Sequence, residues 1–128
     1  QKVIEIVMNC FKMENMAEID GKTRIQMAVQ YIKEHYSENL TVNDLAEVFD
    51  MSPNYFSSIF KKEMNQSPVN FITGIRMRKA QEMLLSSNLS VADIAQKTGY
   101  EDGQYFFRVF KKHTGMTPLQ YRENTGTL

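Results

Sequence analysis

An internal duplication constrains the fold of this 128-residue chain more than any other feature of its sequence. The segment YFFRVFKK at residues 105–112 has a near copy, YFSSIFKK, fifty residues earlier at residues 55–62. Two further pairs of segments match in the same order at an offset of 49 or 50, residues 41–46 with 90–95 and residues 67–71 with 117–121. Three matched segments indicate two copies of one structural unit. Because a unit of about 50 residues buries little apolar surface alone, the copies should share a connecting helix.

Apolar residues recur at helical spacing, and the sequence therefore predicts an all-α protein. At 3.6 residues per turn, each repeated segment divides into a buried and an exposed face. The predicted buried faces consist of Tyr55, Phe56, Ile59 and Phe60 in the first copy and Tyr105, Phe106, Val109 and Phe110 in the second. The predicted exposed faces consist of Asn54, Ser57, Ser58 and Lys61, and of Gln104, Phe107, Arg108 and Lys111. The predicted buried faces therefore repeat, whereas the predicted exposed faces differ.

Capping residues mark the helix boundaries in the first copy. Thr23 fits the N-cap of a helix that ends near His35, and Thr41 fits the N-cap of a short helix after it. Ser52 and Pro53 fit the N-cap and the first position of the next helix. A short helix, a turn and a second helix form the helix-turn-helix pattern, whose second helix enters a DNA groove.

The second copy repeats these signals. Gly99 supplies its turn, Asp102 caps its second helix, and His113 is expected to pack inward near that helix's end. The predicted organisation has four parts: an N-terminal connecting helix at 1–22, a helix-turn-helix subdomain at 23–67, a connecting helix at 68–86 and a second helix-turn-helix subdomain at 87–128.

The apolar residues of the first twenty positions leave two interpretations open. This segment is either a helix that leads from a further N-terminal domain or a helix that packs on its own module. In the first case the helix, or the missing domain, would make a homodimer contact. The apolar stripe is too short to establish a coiled coil.

The distribution of charge favours a nucleic-acid partner although the formal net charge is zero. Residues 1–50 hold five Lys/Arg against nine Asp/Glu, a net charge of −4. Residues 51–128 hold ten Lys/Arg against six Asp/Glu, a net charge of +4. The basic excess therefore lies in the part of the chain that contains both repeated segments.

Enzyme and cofactor chemistry find no support in the sequence. Cys10, His35 and His113 show no metal-ligand spacing and no pairing of a nucleophile with a base. We therefore expect neither a catalytic residue nor a cofactor or metal.

A single cysteine indicates a reducing cytoplasm, and no apolar run approaches the length needed to span a membrane.

The predicted contacts with double-stranded DNA fall into two sets. Base-edge contacts are expected from Asn54, Ser57, Ser58, Gln104, Phe107 and Arg108, and phosphate contacts from Lys61, Lys62, Arg76, Arg78, Lys111 and Lys112. For Arg108 a phosphate contact or a solvated position is the alternative, and for Phe107 it is packing against a neighbouring loop. A connecting helix of about eighteen residues spans roughly 27 Å. This length lets the second helix of each unit reach one of two major-groove windows about 34 Å apart.

The residues of the second copy resemble the signature of the AraC/XylS family of bacterial transcription regulators. The matching pattern is IAxxxGYxDxxYFxxxFKKxxGxxPxxYR at residues 94–122, preceded by RxxKAxxxLL at residues 76–85. The resemblance implies two helix-turn-helix units on one bent DNA site and activation of transcription through contact with RNA polymerase. It also implies the output module of a larger protein, like a response regulator. Asn65 departs from the glycine usual at its position, although asparagine also tolerates the left-handed conformation.

The predicted function is thus sequence-specific binding of double-stranded DNA by a transcription regulator, most often an activator. The alternative is a helical module that binds a protein partner through the same exposed faces.

Overall fold

The computed structural model describes residues 18–126, which form seven α-helices and no β-strand. The helices are α1 (Gly21–His35), α2 (Val42–Val48), α3 (Pro53–Met64), α4 (Pro68–Ser86), α5 (Val91–Lys97), α6 (Gly103–Thr114) and α7 (Pro118–Gly126). The all-α prediction is confirmed. Cys10 and all but the last few residues of the predicted N-terminal helix at 1–22 lie outside the described residues. No helix within residues 18–126 is long and apolar enough to cross a bilayer.

The predicted helix caps form, with one exception. The Thr41 hydroxyl accepts a hydrogen bond from the Asp44 N–H at 3.0 Å, and the Ser52 hydroxyl accepts one from the Tyr55 N–H at 3.2 Å. Thr23 is not an N-cap, because its own N–H donates to Oδ1 of Asp20 at 2.8 Å and α1 already begins at Gly21. Hydrogen bonds from the backbone and the side chain of Thr23 lower the pKa of the Asp20 carboxyl.

Two compact units divide the chain, and the boundary between them falls inside α4. Among the described residues, the first unit contains Leu40–Ile72 and residues 18–35, and the second contains Tyr36–Asn39 and residues 73–126. The four-part division predicted from the sequence, with boundaries at the ends of the helix at 68–86, stays a prediction. α4 therefore contributes to both units: residues 68–72 belong to the first, and the helix from Thr73 onward belongs to the second.

The duplication extends to the packing of the aromatic cores. In the first unit the Phe56 and Phe60 rings lie 5.7 Å apart, and Phe60 meets Phe71 edge-on at 5.6 Å. In the second unit the corresponding distances are 5.8 Å for Phe106–Phe110 and 5.7 Å for Phe110–Tyr121. The rest of the second core consists of Met77, Ala80, Leu84, Ile94, Ala95 and Tyr100. Each unit thus buries its second helix through two phenylalanines four residues apart, which lie on one helical face.

Three residues predicted to point inward are exposed. Tyr55 and Tyr105 keep 53% and 50% of their surface exposed, and His113 is exposed as well. Each tyrosine lies about 100° around the helix from the phenylalanine that follows it, so it occupies the flank of the buried face. His113 lies in the last turn of α6, at the flank of the face that Phe110 defines.

Left-handed backbone conformations occur at matching points of the two units. Asp50 and Gly99 have φ values of 57° and 100° after the short helices, and Asn65 and Gly115 have values of 61° and 83° after the second helices. The prediction that Asn65 tolerates the left-handed C-cap conformation is confirmed.

We expect opposite effects on stability from the same substitution at two glycines of the second unit. A Cβ at either Gly115 or Gly74 meets no atom within 4 Å, but only Gly115 has a positive φ. Gly115→Ala should lower the free energy of unfolding by about 1–2 kcal/mol because alanine resists the left-handed region. Gly74→Ala should raise it by about 0.5–1 kcal/mol because alanine is the better residue inside a helix.

Urea unfolding of both variants beside the parent chain measures this difference. Equal effects of the two substitutions would contradict the assigned conformation of Gly115.

Candidate nucleic-acid interface

The turn between the two helices of each unit is built in the same way. The Met51 N–H donates to the carbonyl oxygen of Ala46 at 2.8 Å, and the Tyr100 N–H donates to that of Ala95 at the same distance. Both helix-turn-helix units predicted from the sequence are therefore present, with α3 and α6 as their second helices. The inward phenylalanines leave the opposite side of each second helix to the solvent.

The exposed side of α6 carries the longer side chains. Gln104, Phe107, Arg108, Lys111 and Lys112 are all exposed, as predicted. Phe107 leaves 42% of its surface in water, so the core of its unit does not use this ring. The ring of Phe107 is therefore available at the surface of α6.

The corresponding side of α3 carries shorter side chains. Asn54, Ser58, Lys61 and Lys62 are exposed, and Ser57 is half-buried. Ser57 is thus the least accessible of the six residues predicted to contact bases. The two helices resemble each other in their terminal lysines and differ in the residues before them.

Arg76 does not share the exposed position of the lysines. Its Nε donates to the carbonyl oxygen of Tyr36 at 2.7 Å, and its Nη2 donates to that of Glu38 at 2.8 Å. The predicted phosphate contact of Arg76 is therefore not what the structure favours, because the guanidinium is already bound to the segment Tyr36–Asn39. Arg78, two residues further along α4, is exposed.

Arg122 has a packing role of the same kind. Its guanidinium donates to the carbonyl oxygens of Leu84, Ser87 and Leu89 at 2.9, 3.2 and 2.8 Å. These contacts tie α7 to the chain that follows α4. Arg76 and Arg122 each satisfy carbonyl groups near the end of a preceding helix, which have no partner within that helix.

The exposed tyrosines of the second helices were not predicted from the sequence. Tyr105 lies beside Arg108, whose guanidinium carbon is 5.8 Å from the centre of the Tyr105 ring. The choice of tyrosine at both 55 and 105, where a phenylalanine would suit a buried position, was the available signal. A hydroxyl group favours a position that reaches water.

No group of three or more His, Cys, Asp or Glu side chains that could hold a metal ion occurs in the described part of the chain.

Two helix-turn-helix units with exposed, polar second helices define the class of helix-turn-helix DNA-binding proteins.

Comparison with known proteins identifies the family within this class. A family model described as a helix-turn-helix domain matches residues 45–124, and the chain belongs to the AraC/XylS family of transcription regulators. The family and its fold are those of DNA-binding regulators rather than of enzymes.

Two solved structures show the same fold with detectable sequence identity. The C-terminal domain of AraT, a response regulator from Geobacillus stearothermophilus, is 41% identical, with a TM-score of 0.78 over 79% of this chain and 84% of that one. The DNA-binding domain of AdpA, solved in complex with a target DNA, is 26% identical, with a TM-score of 0.75 over 78% of this chain and 90% of that one.

Among curated relatives, the raffinose operon transcriptional regulatory protein RafR of Pediococcus pentosaceus is 34% identical over 85% of this chain. The lactose operon transcription activator of Staphylococcus xylosus is 32% identical over 78% of it. The chain spans only 39% and 36% of the length of these two proteins.

Two arginines of α4 provide a matched test of the role assigned to Arg76. Arg76→Met should lower the free energy of unfolding by about 2–3 kcal/mol, because two carbonyl oxygens lose charged donors. Arg78→Met, an identical change two residues away at an exposed position, should alter it by less than about 0.5 kcal/mol.

Chemical denaturation followed by circular dichroism measures both values. A stable Arg76→Met variant with weakened DNA binding would restore the phosphate role that the sequence suggested.

Proposed function

We propose that this chain is the DNA-reading output module of a larger transcription regulator, with α3 and α6 each placed in the major groove of double-stranded DNA. The observation that carries the proposal is the repeated separation of faces. In both units the core uses the phenylalanines of the second helix, and the polar side chains of the same helix remain exposed. Membership of a family of DNA-binding regulators supports the same function.

The exposed side chains of α6 have the chemistry of base recognition. An arginine such as Arg108 can donate two hydrogen bonds to O6 and N7 of guanine, and a glutamine such as Gln104 can pair with N6 and N7 of adenine. Phe107 offers an apolar surface to the methyl group of thymine. We therefore assign these three residues of α6 to direct base contacts.

The exposed side chains of α3 are suited to a weaker or water-mediated readout. Asn54 can pair with adenine, whereas the hydroxyl groups of Ser57 and Ser58 are short and reach bases through water. Because Ser57 is half-buried, Asn54 and Ser58 are the main candidates in the first unit. We expect α6 to contribute more to sequence preference than α3.

Phosphate contacts are assigned to the exposed cations Lys61, Lys62, Arg78, Lys111 and Lys112. The lysine pairs lie in the last turns of α3 and α6. Their positive charge also interacts favourably with the carbonyl end of each helix. Neutralised phosphates release counterions, so binding should weaken steeply as salt rises.

The rest of the proposal concerns the larger protein. The chain covers well under half of its curated relatives, and one similar structure is the C-terminal domain of a response regulator. We propose that a further domain senses the signal, that the protein acts in the cytoplasm, and that it activates transcription by contacting RNA polymerase. A homodimer formed through the N-terminal segment or that further domain belongs to the same proposal.

Arg108→Ala should relax the preference at one base pair of the preferred site. The loss of a bidentate contact corresponds to about 1–3 kcal/mol of discrimination between the right and the wrong base. Lys112→Ala is the matched control, because loss of a phosphate contact should weaken all sites alike and reduce the magnitude of the salt slope by about 1.

Selection of binding sites from random duplexes, followed by titrations at several salt concentrations, distinguishes the two variants. Uniform weakening by Arg108→Ala would reassign this residue to a phosphate. A parent chain that binds no duplex in a salt-dependent manner would favour a protein-interaction module instead.

Inserting five base pairs between the two halves of the selected site should abolish simultaneous binding by α3 and α6. Half a helical turn moves the second window to the opposite side of the duplex, since one turn takes about 10.5 base pairs. Affinity should fall at least about tenfold, as expected when several base contacts are lost together.

The same five base pairs placed outside the site provide the control duplex. Equal affinity for both duplexes would show that one unit alone reads the DNA.

A further inference from the structure

Four side chains of the second unit form a continuous stack that ends at Arg108. The guanidinium carbon of Arg76 lies 5.3 Å from the centre of the Tyr100 ring. The Tyr100 and Tyr105 rings lie 5.9 Å apart, and the guanidinium carbon of Arg108 lies 5.8 Å from the Tyr105 ring. We call these four residues the arginine–tyrosine stack. In this order it consists of a cation, two aromatic rings and a second cation.

One end of the stack is held firmly. Arg76 is bound to two backbone carbonyl oxygens, and Tyr100 keeps only 7% of its surface exposed. Burial raises the pKa of the Tyr100 phenol, so this ring stays neutral at physiological pH. Gly99 makes room for the arrangement, because a Cβ there would lie 3.0 Å from the guanidinium of Arg76.

The other end of the stack lies on the surface. Tyr105 is half exposed, and Arg108 is exposed on the side of α6 assigned to base contacts. The ring of Tyr105 therefore connects a fixed part of the unit to the tip of a flexible side chain. An exposed arginine side chain without such a contact samples many rotamers, and it loses this freedom when it binds.

The first unit contains no equivalent of the stack, so the shared fold does not require it. At the positions that correspond to Tyr100, Tyr105 and Arg108, the first unit has Met51, Tyr55 and Ser58. A tyrosine is thus present on both second helices, but only Tyr105 has an arginine three residues later. Positions three apart on a helix are neighbours.

We propose that Tyr105 is a positioning residue that holds Arg108 in place for base recognition. Tyr105 is itself supported by its contact with Tyr100, which in turn contacts Arg76. This role rests on the proposed function, in which Arg108 reads a base. A guanidinium held above a tyrosine ring has fewer conformations to lose when it meets a guanine. The stack also limits how far Arg108 can turn towards a neighbouring base pair, so it favours one register of contact.

Tyr105→Leu tests the role by removing the ring and keeping an apolar side chain. Preference for the correct base pair at the Arg108 position should fall about two- to fivefold, the effect expected of an exposed cation–ring contact. Tyr105→Phe retains the ring and should restore the preference. Tyr55→Leu removes the equivalent tyrosine of α3, which has Ser58 instead of an arginine three residues later, and should leave the preference at that base pair unchanged.

A double variant separates positioning from direct contact. In an Arg108→Ala background, Tyr105→Leu should have no further effect on base preference, because the residue on which it acts is absent. An equal loss of preference in both backgrounds would overturn the positioning role and indicate a contact between Tyr105 and the DNA itself.

A measurement without DNA distinguishes failure of this inference from failure of the proposed function. NMR relaxation of the Arg108 side-chain Nε in the 128-residue chain should show greater mobility in Tyr105→Leu than in the parent or Tyr105→Phe. Unchanged mobility in a chain that binds DNA would overturn the positioning role alone. A parent chain without salt-dependent DNA binding would overturn the proposed function and this role with it.

Discussion

Two phenylalanines four residues apart attach each second helix to its core, and the orientation of the exposed residues depends on this attachment. Phe56 and Phe60 in α3, and Phe106 and Phe110 in α6, are fully buried. Loss of either ring from such a pair destabilises a core by about 3–5 kcal/mol. Because the buried pair fixes the rotation of the helix about its axis, it also determines which residues face the solvent.

The duplication allowed most of the fold to be predicted from the sequence. Matched segments, capping residues and prolines gave the all-α class and the positions of the helices. The sequence was less informative at the flanks of the buried faces, where Tyr55 and Tyr105 were wrongly placed inside. The exposure of a side chain at a flank depends on how far the neighbouring helix extends over it. The spacing of apolar residues along the sequence does not predict that extent.

Arginines were the hardest residues to assign. Arg76 and Arg78 lie two positions apart on α4 and looked equally suited to a phosphate contact, yet Arg76 is bound to carbonyl groups 40 and 38 positions earlier in the chain. The partner of a long cationic side chain depends on tertiary structure, and a local pattern cannot identify it. The same limit applies to the pairing of Arg108 with Tyr105, which required knowledge of the ring's true position.

The separation of core residues from exposed polar residues on α3 and α6 affects how such a protein can change over evolutionary time. A substitution at Ser58 or Gln104 removes nothing from the hydrophobic interior. Under the proposed base contacts, new operator preferences can therefore arise without an intermediate that fails to fold. Since each helix has its own interior support, one half of the recognised site can drift while the other half is retained. In the proposed binding mode, regulatory targets can therefore be exchanged stepwise, one half-site at a time.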